Sequence, residues 1–330
     1  MGRLVDGDWH TDADLSSDGD AFDREPTTFR NWVESTEDAR FTPEPGRYHL
    51  YVSYACPWAH RTLLTRALLG LEDVISVDVV DPHRVDQGWE FTPSKPKCSA
   101  DSINGFDYLR EVYTAADSTY AGRVTVPVLW DREAATIVNN ESEEIIKMLA
   151  TTFQDLGDRA IDLYPPADQA AIDDVIDDIY PTINNGVYRA GFAGSQDAYD
   201  DAVSDLFTAL ETYDDRLADT RYLLGPDLTL ADVCMFTTLY RFDEVYHTHF
   251  KCNRNRITDY PNLWGYLREL YQLPGVADTC HMDHIKAHYY RSHPDLNPRG
   301  IVPVGPDPDF EAPHDRDRLD GGPPTTLTAD

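Results

Sequence analysis

The chain has 330 residues, of which 59 are acidic and 28 are basic, so its formal net charge at pH 7 is −31. A charge of this sign and size argues against nucleic acids and anionic membranes as partners, because both would repel it. Hydrophobic residues make up 41% of the sequence and aromatic residues 11%, which predicts a folded core rather than a disordered acidic chain.

The start of the chain, the apolar runs and the cysteines predict a cytoplasmic protein. The first residues, MGRLVDGDWHTDADLSSDGD, are acidic and polar, unlike a secretory signal. No apolar run reaches the ~18 residues of a membrane span. The five cysteines show no paired spacing, as expected in a reducing compartment. Because the acidic residues are spread along the whole chain, we interpret the charge as an adaptation to a salt-rich cytoplasm, where ions screen the repulsion.

The first regular elements follow a polar arm over residues 1–45. The pattern predicts a strand over 48–53, a helix over 57–69 that ends at Gly70, and a second strand over 74–80. A long irregular stretch over 81–123 follows, and stretches of this length are usually functional or disordered.

The next elements complete an α+β pattern. Residues 124–130 and 136–138 predict a hairpin, and 140–149 predict a helix. The order β-α-β and then β-β-α matches a thioredoxin-like fold with 81–123 inserted. Pro127 interrupts the first hairpin strand. A cis Val126–Pro127 bond would turn the Val126 backbone toward Cys56, where it could meet the backbone of a bound thiol; a plain edge-strand proline is the alternative.

The second half is predicted to be helical. Helices are expected over 167–188 with a kink at Pro181, over 198–217, after a capping box of Thr229 and Asp232, over 261–273 and over 280–290. We therefore predict four segments: an acidic arm (1–45), a thioredoxin-like thiol-binding domain (46–155), an all-helical domain (156–304) and a Pro- and Asp-rich tail (305–330).

Cys56 carries the strongest chemical signal. It ends a β-rich run and precedes Pro57, which fits the first position of a helix. The sulfur would then lie at a helix N-terminus, where free N–H groups and the helix dipole favour an anion such as a thiolate. Ala59 stands where a C-x-x-C motif would place its second cysteine, so the thiol would act through a mixed disulfide with a small thiol. A buried, inert cysteine is the alternative.

Two further groups of polar residues are candidate sites. Asn140, Glu141 and Ser142 open a helix, where N–H groups and a hydroxyl hold a carboxylate and Glu141 pairs with an α-amino group, as a γ-glutamyl moiety requires. A simple N-cap is the alternative. The histidines at 281, 284 and 288 could line one helix face as metal ligands, but no second ligand cluster accompanies them, so we predict a polar face and no metal.

Seven segments together resemble one known family, the glutathionyl-hydroquinone reductases or xi class of glutathione transferases. They are YVSYACPWAHRT at 51–62, GWEF at 88–91, RVTVPVLWD at 123–131, IVNNESEEII at 137–146, NNGVYRAGFA at 184–193, RFDEVYHTHFKCN at 241–253 and HYYRSHPDLNPRGIVPVGP at 288–306. The resemblance implies a thioredoxin-like N-terminal domain followed by an all-α glutathione-transferase-type domain, usually in a homodimer.

The resemblance also implies an enzyme that uses glutathione to release hydroquinones from glutathionyl-hydroquinones. Cys56 would be the nucleophile, and Tyr188 and Tyr289 would touch the quinol oxygens; the adjacent Tyr290 could take the place of Tyr289. The glutathione moiety would be held by Trp89, Arg123, Val126, Glu141 and Ser142. No permanently bound cofactor is implied, since glutathione acts as cosubstrate.

Three alternatives stay open on the sequence alone. The same Cys56 could serve a glutaredoxin-like reductase of small or protein mixed disulfides. The chain could also be a non-catalytic thiol-binding module. Finally, a salt-adapted cell could use γ-glutamylcysteine in place of glutathione, because the segment expected to bind the γ-glutamyl moiety would serve either thiol.

Overall fold

The computed structural model describes residues 2–11, 26–323 and 327, which form two compact units. The described residues of the first unit are 2–11, 26–158 and 283–300, and those of the second are 159–282, 301–323 and 327. Parts of the predicted arm (1 and 12–25) and of the predicted tail (324–326 and 328–330) lie outside the described residues. The predicted four-segment division remains a prediction.

The first unit is built on a mixed sheet. A separate hairpin joins β1 (Arg3–Val5) to β2 (Asp8–His10). The main sheet of the described chain has the order β4-β3-β5-β6, with β3 parallel to β4, and β5 antiparallel to both β3 and β6. Its strands are β3 (Tyr48–Val52), β4 (Ser76–Val79), β5 (Val128–Asp131) and β6 (Thr136–Asn139).

Helices α1 (Pro57–Leu68), α2 (Leu109–Ala116) and α3 (Ser142–Thr151) complete the N-terminal part of this unit. Every residue of β3 is buried, as expected for a central strand with both faces covered. Because β3, β4 and β6 run in one direction and β5 in the other, the carboxyl ends of the first three lie at the same sheet edge as the start of β5. Residues that follow β3, β4 and β6 and residues that precede β5 therefore converge at this edge.

The structure confirms the predicted order of strands and helices around the sheet and corrects one stretch. Residues 81–123 are not irregular throughout, because they contain α2. Its buried residues are Leu109, Val112 and Tyr113, at helical spacing, and Glu111 accepts from the backbone N–H of Tyr108 at 2.8 Å. One short apolar stripe and one capping contact, within 43 positions of loop-like sequence, are too weak a signal to predict this helix.

The second unit is helical. Its elements are α4 (Gln169–Ile179), a π-helical turn (Tyr180–Asn184), α5 (Gly186–Gly191), α6 (Gln196–Arg216), α7 (Leu230–Arg241), a second π-helical turn (Phe242–Tyr246), α8 (His247–His249) and α9 (Pro261–Gln272). Pro181 lies in the first π-helical turn, which confirms the predicted interruption. The chain then forms α10 (Met282–Ser292), whose residues from 283 onward belong to the first unit.

The centre of the second unit is α7, in which all twelve residues are buried. The predicted capping box is confirmed, since Asp232 accepts from the N–H of Thr229 at 2.8 Å. Asp232 also accepts from the Tyr266 hydroxyl at 2.8 Å and the Leu223 N–H at 2.9 Å. Burial raises the pKa of Asp232 in spite of these donors.

Residues 301–323 are part of the second unit. Arg316 is fully buried, and its guanidinium donates to the carbonyl oxygens of Leu217 at 2.6 Å, Thr220 at 2.5 Å and Arg221 at 2.7 Å. These carbonyls follow the end of α6, where backbone acceptors lack helical partners. Among the described residues, no helix combines the length and the hydropathy that a membrane crossing requires.

Candidate functional site

Cys56 lies at the N-cap of α1, as predicted. Its backbone is extended (φ −76°, ψ 123°), and Pro57 occupies the first turn of the helix. The first turn contains no acidic side chain, and Cys56 is part-exposed. The sulfur therefore lies at the positive end of the helix with no neighbouring acid in that turn, and solvent reaches the residue.

The backbone of Val126 faces the sulfur. The Val126–Pro127 peptide bond is cis, which confirms the prediction, and the Cys56 thiol donates to the Val126 carbonyl oxygen at 3.6 Å. The alternative of an edge-strand proline is wrong, because the following strand β5 lies between β3 and β6. The backbone carbonyl of Val126 therefore lies next to the Cys56 sulfur.

Glu141 and Ser142 lie at the N-terminus of α3, at the same sheet edge. Glu141 is the extended N-cap residue, and Ser142 is the first helical residue and is buried. The Glu141 carboxylate accepts from the Thr27 hydroxyl at 3.2 Å, and its backbone N–H donates to the Asn139 side chain at 2.7 Å. The Thr27 contact holds the Glu141 carboxylate next to the first N–H groups of α3, which have no partners within the helix. A carboxylate beside such N–H groups suits a zwitterionic amino-acid group.

Asn140 supports this turn and does not present its side chain to a ligand. Its carbonyl oxygen accepts from the Phe29 N–H at 3.1 Å, and its amide donates to the Tyr113 hydroxyl at 3.1 Å. The residues around Glu141, namely Thr27, Phe29 and Asn139, were missed by the sequence reasoning. Thr27 and Phe29 lie more than a hundred positions from Glu141 and Asn140, which leaves no local signal, whereas Asn139 lies only two positions from Glu141.

Trp89 follows β4 and is buried, with 4% of its surface exposed. Its ring stacks on His288 of α10 at 5.1 Å, and the Arg84 guanidinium lies 5.1 Å from the ring. The indole N–H has no hydrogen-bond partner among the described residues. A buried donor without a partner is costly, so a ligand that accepts this hydrogen bond gains from it. The roles of His288 and Arg84 in holding Trp89 were also missed.

Arg123 begins the segment that leads to Val126. Its carbonyl oxygen accepts from the Tyr120 hydroxyl at 2.9 Å, and the residue is part-exposed. This hydrogen bond holds the main chain at Arg123, three residues before Val126.

Tyr289 and Tyr290 lie on α10 in the first unit, and both are buried. The Tyr289 ring is edge-on to His288 at 5.3 Å and to His293 at 5.7 Å. The Tyr290 carbonyl accepts from the Asn297 amide at 2.6 Å. Tyr188 lies on α5 in the second unit, where its ring contacts Phe250 at 5.3 Å and Tyr246 at 6.0 Å.

The histidines of α10 are structural in this unit. His284 donates to the Pro96 carbonyl at 3.0 Å, and His288 donates to the Pro82 carbonyl at 2.7 Å. Within the described ranges, no group of three His, Cys, Asp or Glu residues is arranged to hold a metal ion. These contacts instead tie α10 to the 81–98 stretch that carries Trp89.

Two family models match the chain. The model for the glutathione S-transferase N-terminal domain covers residues 55–152, and the model for the C-terminal domain covers residues 196–269. The first includes Cys56 and the sheet edge described above. The second lies within the helical unit.

Similar proteins span nearly the whole chain. A glutathionyl-hydroquinone reductase of Escherichia coli, YqjG, is 52% identical over 96% of this chain and 99% of its own length. The glutathionyl-hydroquinone reductase PcpF of Sphingobium chlorophenolicum is 50% identical over 93% of this chain and 96% of its own. The solved xi-class glutathione transferase of Natrialba magadii is 61% identical, with a TM-score of 0.93 over 97% of this chain and 98% of its own.

Proposed function

The chain belongs to the xi class of glutathione transferases, the glutathionyl-hydroquinone reductases, and we propose that it removes glutathione or a related γ-glutamyl thiol from glutathionyl-hydroquinones through a mixed disulfide on Cys56. The observation that carries the proposal is the position of Cys56. It is a single thiol at the start of α1, facing a backbone carbonyl at 3.6 Å, with no second cysteine in the C-x-x-C position.

The chemistry is two successive thiol exchanges. In the first, the Cys56 thiolate attacks the glutathione sulfur of the adduct, an S–S bond forms, and the bond between that sulfur and the ring carbon breaks. The electron pair of the broken bond stays with the ring, whose oxygens share the negative charge, and a proton taken up at the carbon gives free hydroquinone. In the second, a thiolate of free glutathione attacks the mixed disulfide, releasing glutathione disulfide and restoring Cys56. The two thiols supply the two electrons that reduce the carbon–sulfur bond.

The thiol side of the site is assigned to Trp89, Arg123, Val126, Glu141 and Ser142. The anchored Glu141 carboxylate suits the α-amino group of a γ-glutamyl moiety, and the N-terminus of α3 with the Ser142 hydroxyl suits its α-carboxylate. The unpartnered Trp89 N–H supplies a further donor. In support, the solved structure of the E. coli relative YqjG is a glutathione-bound form.

The quinol side is assigned to Tyr188 and Tyr289, with Tyr290 beside it. Their phenols would donate to the oxygens of the leaving hydroquinone, where negative charge develops as the carbon–sulfur bond breaks. Phenols suit this role because a phenol O–H group donates a hydrogen bond.

The cellular setting completes the proposal. We propose a homodimer in a salt-rich cytoplasm, on the strength of the −31 charge and the family resemblance. In such a cell γ-glutamylcysteine is as suitable a cosubstrate as glutathione, because both carry the γ-glutamyl end that Glu141 and Ser142 would hold.

The direct test replaces Cys56 by alanine. Cys56→Ala should abolish thiol-dependent release of hydroquinone at high salt and leave the melting temperature close to that of the unsubstituted protein. Cys98→Ala is the matched control: Cys98 is also part-exposed, but burial raises the pKa of its thiol. Turnover retained by Cys56→Ala, or lost by Cys98→Ala in a folded protein, would contradict the mechanism.

A further inference from the structure

The N-terminal hairpin of β1 and β2 is docked along one edge on the segment that precedes Arg123. Leu4 is buried, and its backbone exchanges hydrogen bonds with Gly122, at 3.0 Å from the Leu4 N–H and 2.9 Å to the Leu4 carbonyl. The Gly7 N–H donates to the Tyr120 carbonyl at 3.0 Å. The hairpin thus adds a short strand to residues 120–122, directly before Arg123.

The turn of the hairpin is built for this approach. Asp6 and Gly7 both have positive φ, 49° and 84°, the pattern of a tight two-residue hairpin turn. A Cβ placed on Gly7 would collide with the carbonyl oxygen of Ser118. Only glycine allows the turn to reach the 118–122 segment this closely.

The other side of the hairpin holds the loop that precedes Trp89. The Trp9 indole N–H donates to the Asp86 carbonyl at 2.9 Å. Its ring lies against Gly88, where an added Cβ would come within 3.0 Å of the indole. The Arg110 guanidinium lies 5.4 Å from the Trp9 ring and also donates to the Gln87 carbonyl, which closes the contact.

We propose that the hairpin of residues 3–10 is a positioning element for the thiol pocket, and that Trp9 is its main positioning residue. The hairpin contacts two segments of the chain, one that leads to Trp89 and one that leads to Arg123. These two residues lie 34 positions apart (123 − 89). Both are assigned to the bound thiol, so the inference rests on the proposed function. Trp9 acts through the loop at 85–88, and a shift of that loop displaces the ring of Trp89.

The affinity for the thiol should therefore depend on Trp9, which precedes the first strand of the main sheet. Displacement of a group in a site by about 1 Å can lower the rate up to about a hundredfold. For a loop that is loosened rather than lost, we expect the affinity for the thiol to fall about tenfold. In kinetics this is a rise in KM for the thiol with kcat little changed, because Cys56 and α1 make no part of the hairpin contact.

The test measures the Kd of glutathione by calorimetry in a Cys56→Ala background, where no mixed disulfide forms. Trp9→Leu should weaken the Kd about tenfold. Trp9→Phe keeps a ring against Gly88 but loses the bond to Asp86, and should weaken it about threefold. Trp32→Leu is the matched control, since Trp32 is 39% exposed and lies outside the hairpin; its Kd should equal that of the parent.

Equal Kd values for both Trp9 variants and the parent overturn the inference. If Trp9→Leu does not fold, Trp9→Phe decides alone. A protein that binds glutathione but releases no hydroquinone refutes the proposed function and leaves the hairpin to be judged by the Kd values, whereas a parent that binds no glutathione overturns both. In the active protein, a fall in kcat without a rise in KM also overturns the positioning role.

Discussion

Replacing Arg316 by alanine should destabilise the helical unit more than any exposed arginine would. The buried guanidinium satisfies three backbone carbonyls between 2.5 and 2.7 Å and lies 3.8 Å from the Glu269 carboxylate. Burial raises the pKa of Glu269, although Arg221 and Arg316 oppose the rise. Removing Arg316 therefore leaves buried acceptors without donors and takes one cation away from a buried acid.

The magnitude follows from these contacts. Hydrogen bonds to a charged group are worth about 1.5–3 kcal/mol each, so three would give about 4.5–9 kcal/mol if nothing relaxed. Water reaching the end of α6 recovers part of this, and breaking a buried ion pair costs about 3–5 kcal/mol in measured cases. We expect about 3–5 kcal/mol, or a melting temperature lower by roughly 6–20 °C at about 2–4 °C per kcal/mol.

The assay measures urea and thermal unfolding of Arg316→Ala and Arg318→Ala, two variants at residues of the same turn. Arg318 is the matched control, because it lies two residues away, is 45% exposed and pairs with Asp315 at 3.1 Å. Arg318→Ala should change the unfolding free energy by no more than about 0.5 kcal/mol. If Arg316→Ala were as mild as Arg318→Ala, the buried contacts of Arg316 would not stabilise the unit and the reasoning would be wrong.

Two further outcomes are expected. Tyr188→Phe and Tyr289→Phe should each slow reduction of quinol adducts about tenfold. A single lost oxyanion donor slows other enzymes about 10²–10³-fold (~2.7–4 kcal/mol), and we expect a smaller effect here because two donors share the charge. The rate of Cys56 alkylation should not change, and adduct kinetics like those of the parent would remove the tyrosines from the quinol site. The melting temperature should rise from millimolar to molar salt, because the −31 charge repels itself over a Debye length of ~30 Å at 0.01 M; a flat curve would refute salt adaptation.

The elements around Cys56 were predictable because their signals are local. A β-rich run, a proline at the first helical position and a glycine after the last apolar residue define β3 and α1 within about twenty positions. The cis bond before Pro127 was predictable from its place after a Cys-Pro site and before a hairpin. The strand and the helix depend on neighbours in sequence, whereas the cis bond depends on the order of the segments along the chain.

The supporting residues were not predictable, because they depend on distant parts of the chain. The carboxylate of Glu141 is held by Thr27, 114 positions away, and Trp89 by His288. Arg316 belongs to a segment whose Pro- and Asp-rich composition is typical of an unpacked tail, yet its side chain is fully buried. Burial of a charge follows from which acceptors the fold brings near it, and composition does not reveal that.

The first unit is discontinuous in sequence, since it takes residues up to 158 and then 283–300. On the ribosome the sheet, α1 and α3 emerge long before α10, and residues 159–282 of the helical unit are synthesised in between. The His288 ring that stacks on Trp89 and the phenol of Tyr289 are therefore added to the first unit only near the end of translation. A chain that ends before α10 contains the sheet residues and Cys56 but lacks the α10 residues that we propose for the quinol side.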